Sequence, residues 1–260
     1  MLLAINANNT SSVFGLYDSS ADLLIRAWRV STRRDRTPDE WFALLVTLFR
    51  SSEHQITDVD AVIVGSVVPS VTTWLRAMAM QRLSIEPIIV SAALDLGFRA
   101  LVDQPEDVGP DRLANTVAAF ERHGGPAIVV DFGTATNFDV ISADGDFLGG
   151  AIAPGLTVSL EALTSRAARL FSVDLVLPAR AVGTSTVTNI QSGTVLGHLA
   201  MVEGMLARMQ SEVGGGATVI ATGGNAPIFA ANTAAIHHYA PDLTIDGLNL
   251  IYQRLVPMPE

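Results

Sequence analysis

The sequence predicts an α/β protein of two similar domains, each a mixed β-sheet flanked by helices, with a ligand site in the cleft between them. Three observations predict it. The run Ala127-Ile128-Val129-Val130 is apolar without interruption, as a strand buried on both faces requires, and it leads into Asp131-Phe132-Gly133-Thr134-Ala135-Thr136-Asn137-Phe138-Asp139. Laying Val130-Asp131-Phe132-Gly133-Thr134 over Ile5-Asn6-Ala7-Asn8-Asn9 aligns two strand ends, each followed by a return strand and a third strand. Between and after these units, short apolar runs alternate with stretches of helical spacing, the pattern of a sheet covered by helices. Domains paired in this way bind ligands where they meet. Nothing recurs at a period of about 20–50 residues, which excludes a solenoid. The first domain is expected over residues 1–112 and the second over 113–260, with the boundary within 107–126.

The elements follow in order. Residues 2–6 and 12–17 are short apolar segments flanking Ala7-Asn8-Asn9-Thr10-Ser11, a strand–turn–strand signal. A third strand, Leu23 to Val30, follows a turn at Asp18-Ser19-Ser20. Thr37-Pro38-Asp39-Glu40 starts a helix, with Thr as N-cap, Pro at the first helical position and Glu three residues on, and Trp41, Leu44, Leu45 and Leu48 keep helical spacing. Strands are expected at Ala61–Val64 and Pro87–Val90, with a helix carrying Trp74, Leu75 and Met78 between them. A helix opens at Gly109-Pro110-Asp111-Arg112 and ends at Gly124-Gly125. After the central stretch come a return strand (Phe138 to Ile141), a turn at Asp144-Gly145 and a strand into Gly149-Gly150-Ala151. Helices across 155–170 and 185–212, a strand at Thr218–Ala221 and a last helix from Gly247 to Leu255 complete the chain.

Composition narrows the function classes. Of the 260 residues, 49% are hydrophobic and 16% charged, the balance of a globular protein and not of a disordered one. No apolar run reaches the ~18 residues of a membrane helix, and Met1-Leu2-Leu3-Ala4-Ile5-Asn6 reads as a strand, not as a signal peptide. The absence of cysteine excludes disulfides and thiolate metal sites and fits a cytoplasmic protein. A net charge of −10 argues against a nucleic-acid partner. Arg33, Arg34 and Arg36 cluster, but Asp35 interrupts them, and a solvated loop is expected there.

Several residues are suited to chemistry, each with a structural alternative. The stretch at Asp131 reads either as a tight hairpin capped by its Asp or as a phosphate site, where Gly133 admits an anion to the backbone and Thr134 donates to it. A carboxylate at such a strand end can also hold a cation. Asp111 is either a helix cap or a general base taking a proton from a substrate hydroxyl. Arg112 beside it steadies an anion or pairs with Asp107 or Glu106 on the helix surface. Thr222-Gly223-Gly224 closes a strand where backbone amides can meet a nucleotide's phosphates. The small residues from Gly149 to Gly155 allow a close approach to a ligand or to another backbone. Thr186 and Gln191-Ser192-Gly193 lie on a helix with few large residues, suited to a second subunit or a small substrate. The five histidines show no zinc-binding spacing and are expected to be structural or on the surface. No Walker A, Gly-x-Ser-x-Gly or Gly-x-Gly-x-x-Gly element is present.

Together these segments resemble the type III pantothenate kinases, of the acetate and sugar kinase, heat-shock ATPase and actin superfamily. The resemblance rests on Gly109-Pro110-Asp111-Arg112, Asp131 to Thr136, Gly149 to Gly155, Gly183 to Gly193 and Thr222-Gly223-Gly224, in that order along nearly the whole chain. It implies two ribonuclease H-like (actin-like ATPase) domains and a homodimer that moves the γ-phosphoryl of ATP to the hydroxyl of pantothenate, with Mg2+ bridging the phosphates. It makes Asp111 the base and Asp131 a ligand of a monovalent cation, K+ or NH4+. Gly109, Pro110, Arg112 and Thr186 become pantothenate contacts, and Asn6, Asn8, Asn9, Thr10, Gly133, Thr134, Thr222, Gly223 and Gly224 become ATP contacts. Four positions depart from the family pattern. The first turn of the family reads Asp-x-Gly-Asn-Thr, and here it is Asn6-Ala7-Asn8-Asn9-Thr10; Val102 stands where a Tyr lines the pantothenate pocket, and Asn137 replaces a Thr. The lost carboxylate at Asn6 removes a charge from an electrostatic site. Two alternatives follow: an impaired paralogue that binds nucleotide or a pantothenate-like ligand as a regulator, and a kinase for another small hydroxy acid.

Overall fold

The computed structural model describes residues 1–18 and 21–256, so the turn expected at Asp18-Ser19-Ser20 lies partly outside the described residues. The chain divides into two compact units: Met1–Ala118 together with the chain from Asp242 onward, and Ala119–Pro241.

The first unit holds one five-stranded sheet, ordered β3-β2-β1-β4-β5. Its strands are β1 (Leu2–Ala7), β2 (Ser11–Asp18), β3 (Leu23–Ser31), β4 (Ala61–Ser66) and β5 (Ile88–Ile89). β2 runs antiparallel to β1 and β3, and β4 runs parallel to β1, with Asn6 opposite Gly65. Side chains alternate along β1. Leu3, Ile5 and Ala7 join a core with Phe14, Trp41, Leu45 and Leu75 from β2, α1 (Pro38–Phe49) and α2 (Pro69–Met78). Leu2, Ala4 and Asn6 face the other way. Thr37 caps α1 as expected: its hydroxyl accepts from the Glu40 N–H, and the Glu40 carboxylate accepts from the Thr37 N–H at 2.7 Å.

The second unit repeats the plan, in the order β10-β9-β6-β7-β8, which read from the other end matches the first sheet strand for strand. Here β6 (Ala127–Phe132) takes the place of β1, with β7 (Ala135–Ile141) and β8 (Phe147–Pro154) as its antiparallel neighbours in turn. On its other side β9 (Thr218–Thr222) runs parallel to β6, followed by β10 (His238–Tyr239). Ile128, Val130 and Phe132 enter a core with Val202, Leu206 and Phe229, so Val129 and Asp131 face away from it. Asp131 therefore has the orientation of Asn6, and its parallel neighbour is Thr222, where Asn6 has Gly65.

Helix α3 (Pro110–His123) leads from one unit to the other. In the second unit α4 (Leu156–Arg166) is followed by α5 (Thr186–Gln191), a π-type turn at Ser192–Leu196, and α6 (Gly197–Glu212), so the helix expected across 185–212 is one run with a widened turn. The short α7 (Ala226–Ala230) follows β9. Among the described residues, no helix is long and apolar enough to cross a membrane.

Four expectations need correction. The return strand starts at Ala135, not Phe138, because antiparallel pairing with β6 continues to Phe132 opposite Thr136 and leaves only Gly133-Thr134 as the turn. The strand expected at Pro87–Val90 pairs over only two residues. The last helix, α8 (Leu243–Leu255), starts four residues before Gly247. It also lies against β1, β2 and β4, so the chain from Asp242 belongs to the first unit and not to a second domain of 113–260. The reason is packing. α8 buries Ile245, Leu248 and Ile251, and Gly15 has no room for a side chain beside the Ile245 methyl.

Candidate active site

At the end of β1 the chain turns through Asn8-Asn9-Thr10, and the Asn8 N–H donates to the Ser11 carbonyl at 3.0 Å. β4 leaves the sheet beside it, and the Val67 N–H donates to the Ala7 carbonyl at 3.1 Å. Asn6 is 5% exposed, and its Oδ1, like that of Asn8, is buried with no hydrogen-bond partner. Native interiors rarely leave such acceptors unmet, so two together at a strand end have room to accept from water or from a ligand.

Asp111 stands in the same unit. Val67 links it to this turn, because a Cβ on Gly109 would lie 3.6 Å from Val67 Cγ1 and 2.6 Å from Asp111 Oδ1. Only glycine at 109 leaves the carboxylate its place. Asp111 Oδ1 accepts from the Arg112 N–H at 2.9 Å at the start of α3. Burial pushes its carboxyl above the usual carboxylate range, against the pull of the helix amides and of the Arg112 guanidinium. Asp111 is thus a carboxylate held at a helix N-terminus, with its proton affinity raised by desolvation.

The second turn is tighter. Gly133 N–H donates to the Ala135 carbonyl at 2.9 Å, and the Gly155 N–H donates to the Thr134 carbonyl at 3.0 Å, as the Thr32 N–H does to Thr10 at 2.9 Å in the first unit. Gly223, at φ +92°, packs its Cα against Asp131: any side chain there would collide with Asp131 Oδ1 and stand 2.7 Å from the Phe132 backbone. Thr222 is buried, while Gly224 opens onto free space and Thr134 is exposed. The structure thus gathers Asp131, Gly133, Thr134, Thr222, Gly223 and Gly224 around one strand end.

Thr186 lies elsewhere in the second unit, exposed, on the wall of a pocket of about 760 Å³ formed with Leu163, Ile190, Gly193, His198 and Met201. His198 is the residue that sequence reasoning missed. It is buried, ringed by Phe132 and Phe229, and its Nε2 is 2.9 Å from Thr136 Oγ1, which ties the pocket wall to the strand after the second turn. Burial lowers its basicity, so the ring is neutral near pH 7 and one nitrogen stays free to accept. A lone histidine in an apolar helical stretch, it gave no signal. Val102 is half-buried in the coil before α3, as is Arg112 at its start.

The chain has close relatives. The profile of the family described as Type III pantothenate kinase matches residues 2–208. A type III pantothenate kinase of Thermomicrobium roseum is 47% identical over 255 residues, 98% of each chain. One from Roseiflexus castenholzii is 45% identical, over 97% of this chain and 98% of its own. Among solved structures, a conserved putative Baf family transcriptional activator from Campylobacter jejuni superposes with a TM-score of 0.61 at 18% identity, covering 97% of this chain and 98% of that one. A putative 2-dehydro-3-deoxygalactonokinase from Sinorhizobium meliloti gives 0.59 at 12% identity, covering 99% and 100%. At those identities the likeness concerns the fold alone.

Proposed function

The chain belongs to the type III pantothenate kinase family, and from that premise we propose how its residues divide the work. The activity is transfer of the γ-phosphoryl group of ATP to the hydroxyl of pantothenate, giving 4'-phosphopantothenate, the first step towards coenzyme A. Asp111 takes the hydroxyl proton as the new oxygen–phosphorus bond forms and the bond from the γ-phosphorus to the ADP oxygen breaks. The observation that carries this role is the half-buried carboxylate held at the start of α3 beside the first turn, with its pKa raised by desolvation. A positioned base of this kind contributes on the order of 10²–10⁴ in rate. Gly109 keeps that carboxylate clear, and Arg112 offers its guanidinium to the pantothenate carboxylate. Pro110, Thr186 and Val102 complete the acceptor contacts in this reading.

The two turns handle the nucleotide. Asn6, Asn8, Asn9 and Thr10 present amide and hydroxyl groups from the first; Gly133, Thr134, Thr222, Gly223 and Gly224 present hydroxyls and backbone amides from the second. The family works with ATP and a divalent metal. The buried acceptors of Asn6 and Asn8 fit a magnesium ion carried on the phosphates, since neutral amide oxygens accept from its waters. Bound there, magnesium would supply neutralisation of the phosphate charge. A monovalent cation at Asp131, a homodimer and a cytoplasmic setting belong to the same proposal. The Asp131 carboxylate, which Gly223 holds in place, supports the first of these.

A coupled ADP-release assay with ATP, magnesium, ammonium or potassium, and pantothenate tests this reading. Turnover that needs pantothenate is expected. No turnover at high enzyme concentration, with ADP still bound, would leave a binding protein in place of a kinase. A panel of small hydroxy acids run alongside tests whether Val102 shifts the acceptor, and a better acceptor than pantothenate would overturn that part.

A further inference from the structure

The arginine cluster, expected in a solvated loop, reaches the first turn. Arg34 Nη2 donates to Asn9 Oδ1 at 2.9 Å, and Arg29 Nη1 donates to Ser11 Oγ at 3.2 Å on the other side of the same turn. Of the nearby acids, Asp39 pairs with Arg82 at 2.5 Å and Glu40 closes the cap of α1, while Asp35 follows Arg34 in the chain and is exposed. Arg36 lies 4.6 Å over the Trp41 ring. Arg34, by contrast, is exposed and rests on a neutral amide, so its charge is available to an anion. Within the turn itself, Asn6 and Asn8 carry neutral amides whose Oδ1 atoms are buried. The two guanidiniums on the rim of the turn are donors to phosphate, and the amides of Asn6 and Asn8 add no negative charge to repel it.

We propose that Arg34 is a phosphate contact of the nucleotide in this chain, supplying at the first turn the positive charge that a carboxylate-held metal would otherwise bring. This rests on the reading of residues 6–10 as a nucleotide turn. Two consequences follow. Nucleotide binding depends weakly on magnesium, and Arg34 matters most when magnesium is absent.

Titration of the full-length protein with N-methylanthraniloyl-ADP, in EDTA and in magnesium, followed by fluorescence, tests it. The wild type is expected to bind in EDTA within about tenfold of its affinity in magnesium. Arg34→Ala should lose about tenfold or more in EDTA, and less in magnesium. Arg33→Ala should match the wild type in both, with all melting temperatures alike. Asn6→Asp serves as the probe of the turn and should weaken binding in EDTA by placing a negative charge beside phosphate. If Arg34→Ala binds as the wild type does in EDTA while Asn6→Asp weakens binding, the role of Arg34 is wrong and the turn stands. If neither change matters, the nucleotide is not at this turn and both readings fall.

Discussion

Asp111 meets two opposed demands. Desolvation of its charge costs stability, and the same desolvation raises its proton affinity, as the proposed role of base requires. The cost is present at pH values above its raised folded pKa and is relieved as pH falls through it. Asp111→Asn is therefore expected to keep or raise the melting temperature while removing the base, and the wild-type rate should fall on the acid side as the carboxylate protonates. Gly223 is the opposite kind of residue, with no chemistry of its own. Gly223→Ala must strain a φ of +92° and push Asp131 aside, so it should cost about 1–3 kcal/mol in denaturant unfolding and weaken nucleotide binding. Thr136→Val keeps the shape and leaves the buried His198 nitrogen without its partner, a loss of about 1–3 kcal/mol in the same measurement. Because burial lowers the His198 pKa, its contribution to stability is present above the unfolded value near 6.5 and is lost as pH falls below it. Melting measured from pH 7.5 to 5.5 should show that loss in the wild type and less of it in His198→Gln.

At the scale of elements, local signals were legible and distant ones were not. The capping box of α1 and the strand end at Asp131 could be read because each depends on residues within a few positions of one another. The two-residue strand β10 could not, because it forms only by pairing His238 with Ile220. The destination of α8 was hidden for the same reason. Its partners are Gly15 and Gly65, far back in the chain, and its polar residues also look backward: Tyr17 donates to Asp246 at 2.6 Å, and Thr244 donates to Asn115 at 2.8 Å. Burial, reinforced by the Asp246 carboxylate, pushes the Tyr17 hydroxyl well above its ordinary range, so it stays a donor at all working pH values. A chain cut after Pro241 should lose hydrogen-exchange protection in β1, β2 and β4 while β6, β7 and β9 keep theirs. Equal loss in both sheets would contradict the division into units.

For the whole molecule, the repeated plan was the most legible feature, since both sheets have the same strand order and place Asn6 and Asp131 at equivalent positions. The copies then diverged in chemistry: one strand end kept its carboxylate and its glycine, and the other carries amides under arginines. That divergence could be read in the sequence only as a loss, because the contact of Arg34 with Asn9 spans 25 positions. The family assignment makes the chain a kinase, and Asp111 is the residue proposed to carry the transfer. Turnover of ATP and pantothenate by Asp111→Asn, measured beside the wild type with ADP affinity as a control, tests this most directly. A fall of about 10²-fold or more in kcat, with ADP affinity unchanged within about twofold, is the predicted result. A variant that keeps more than about a tenth of the wild-type rate would contradict it.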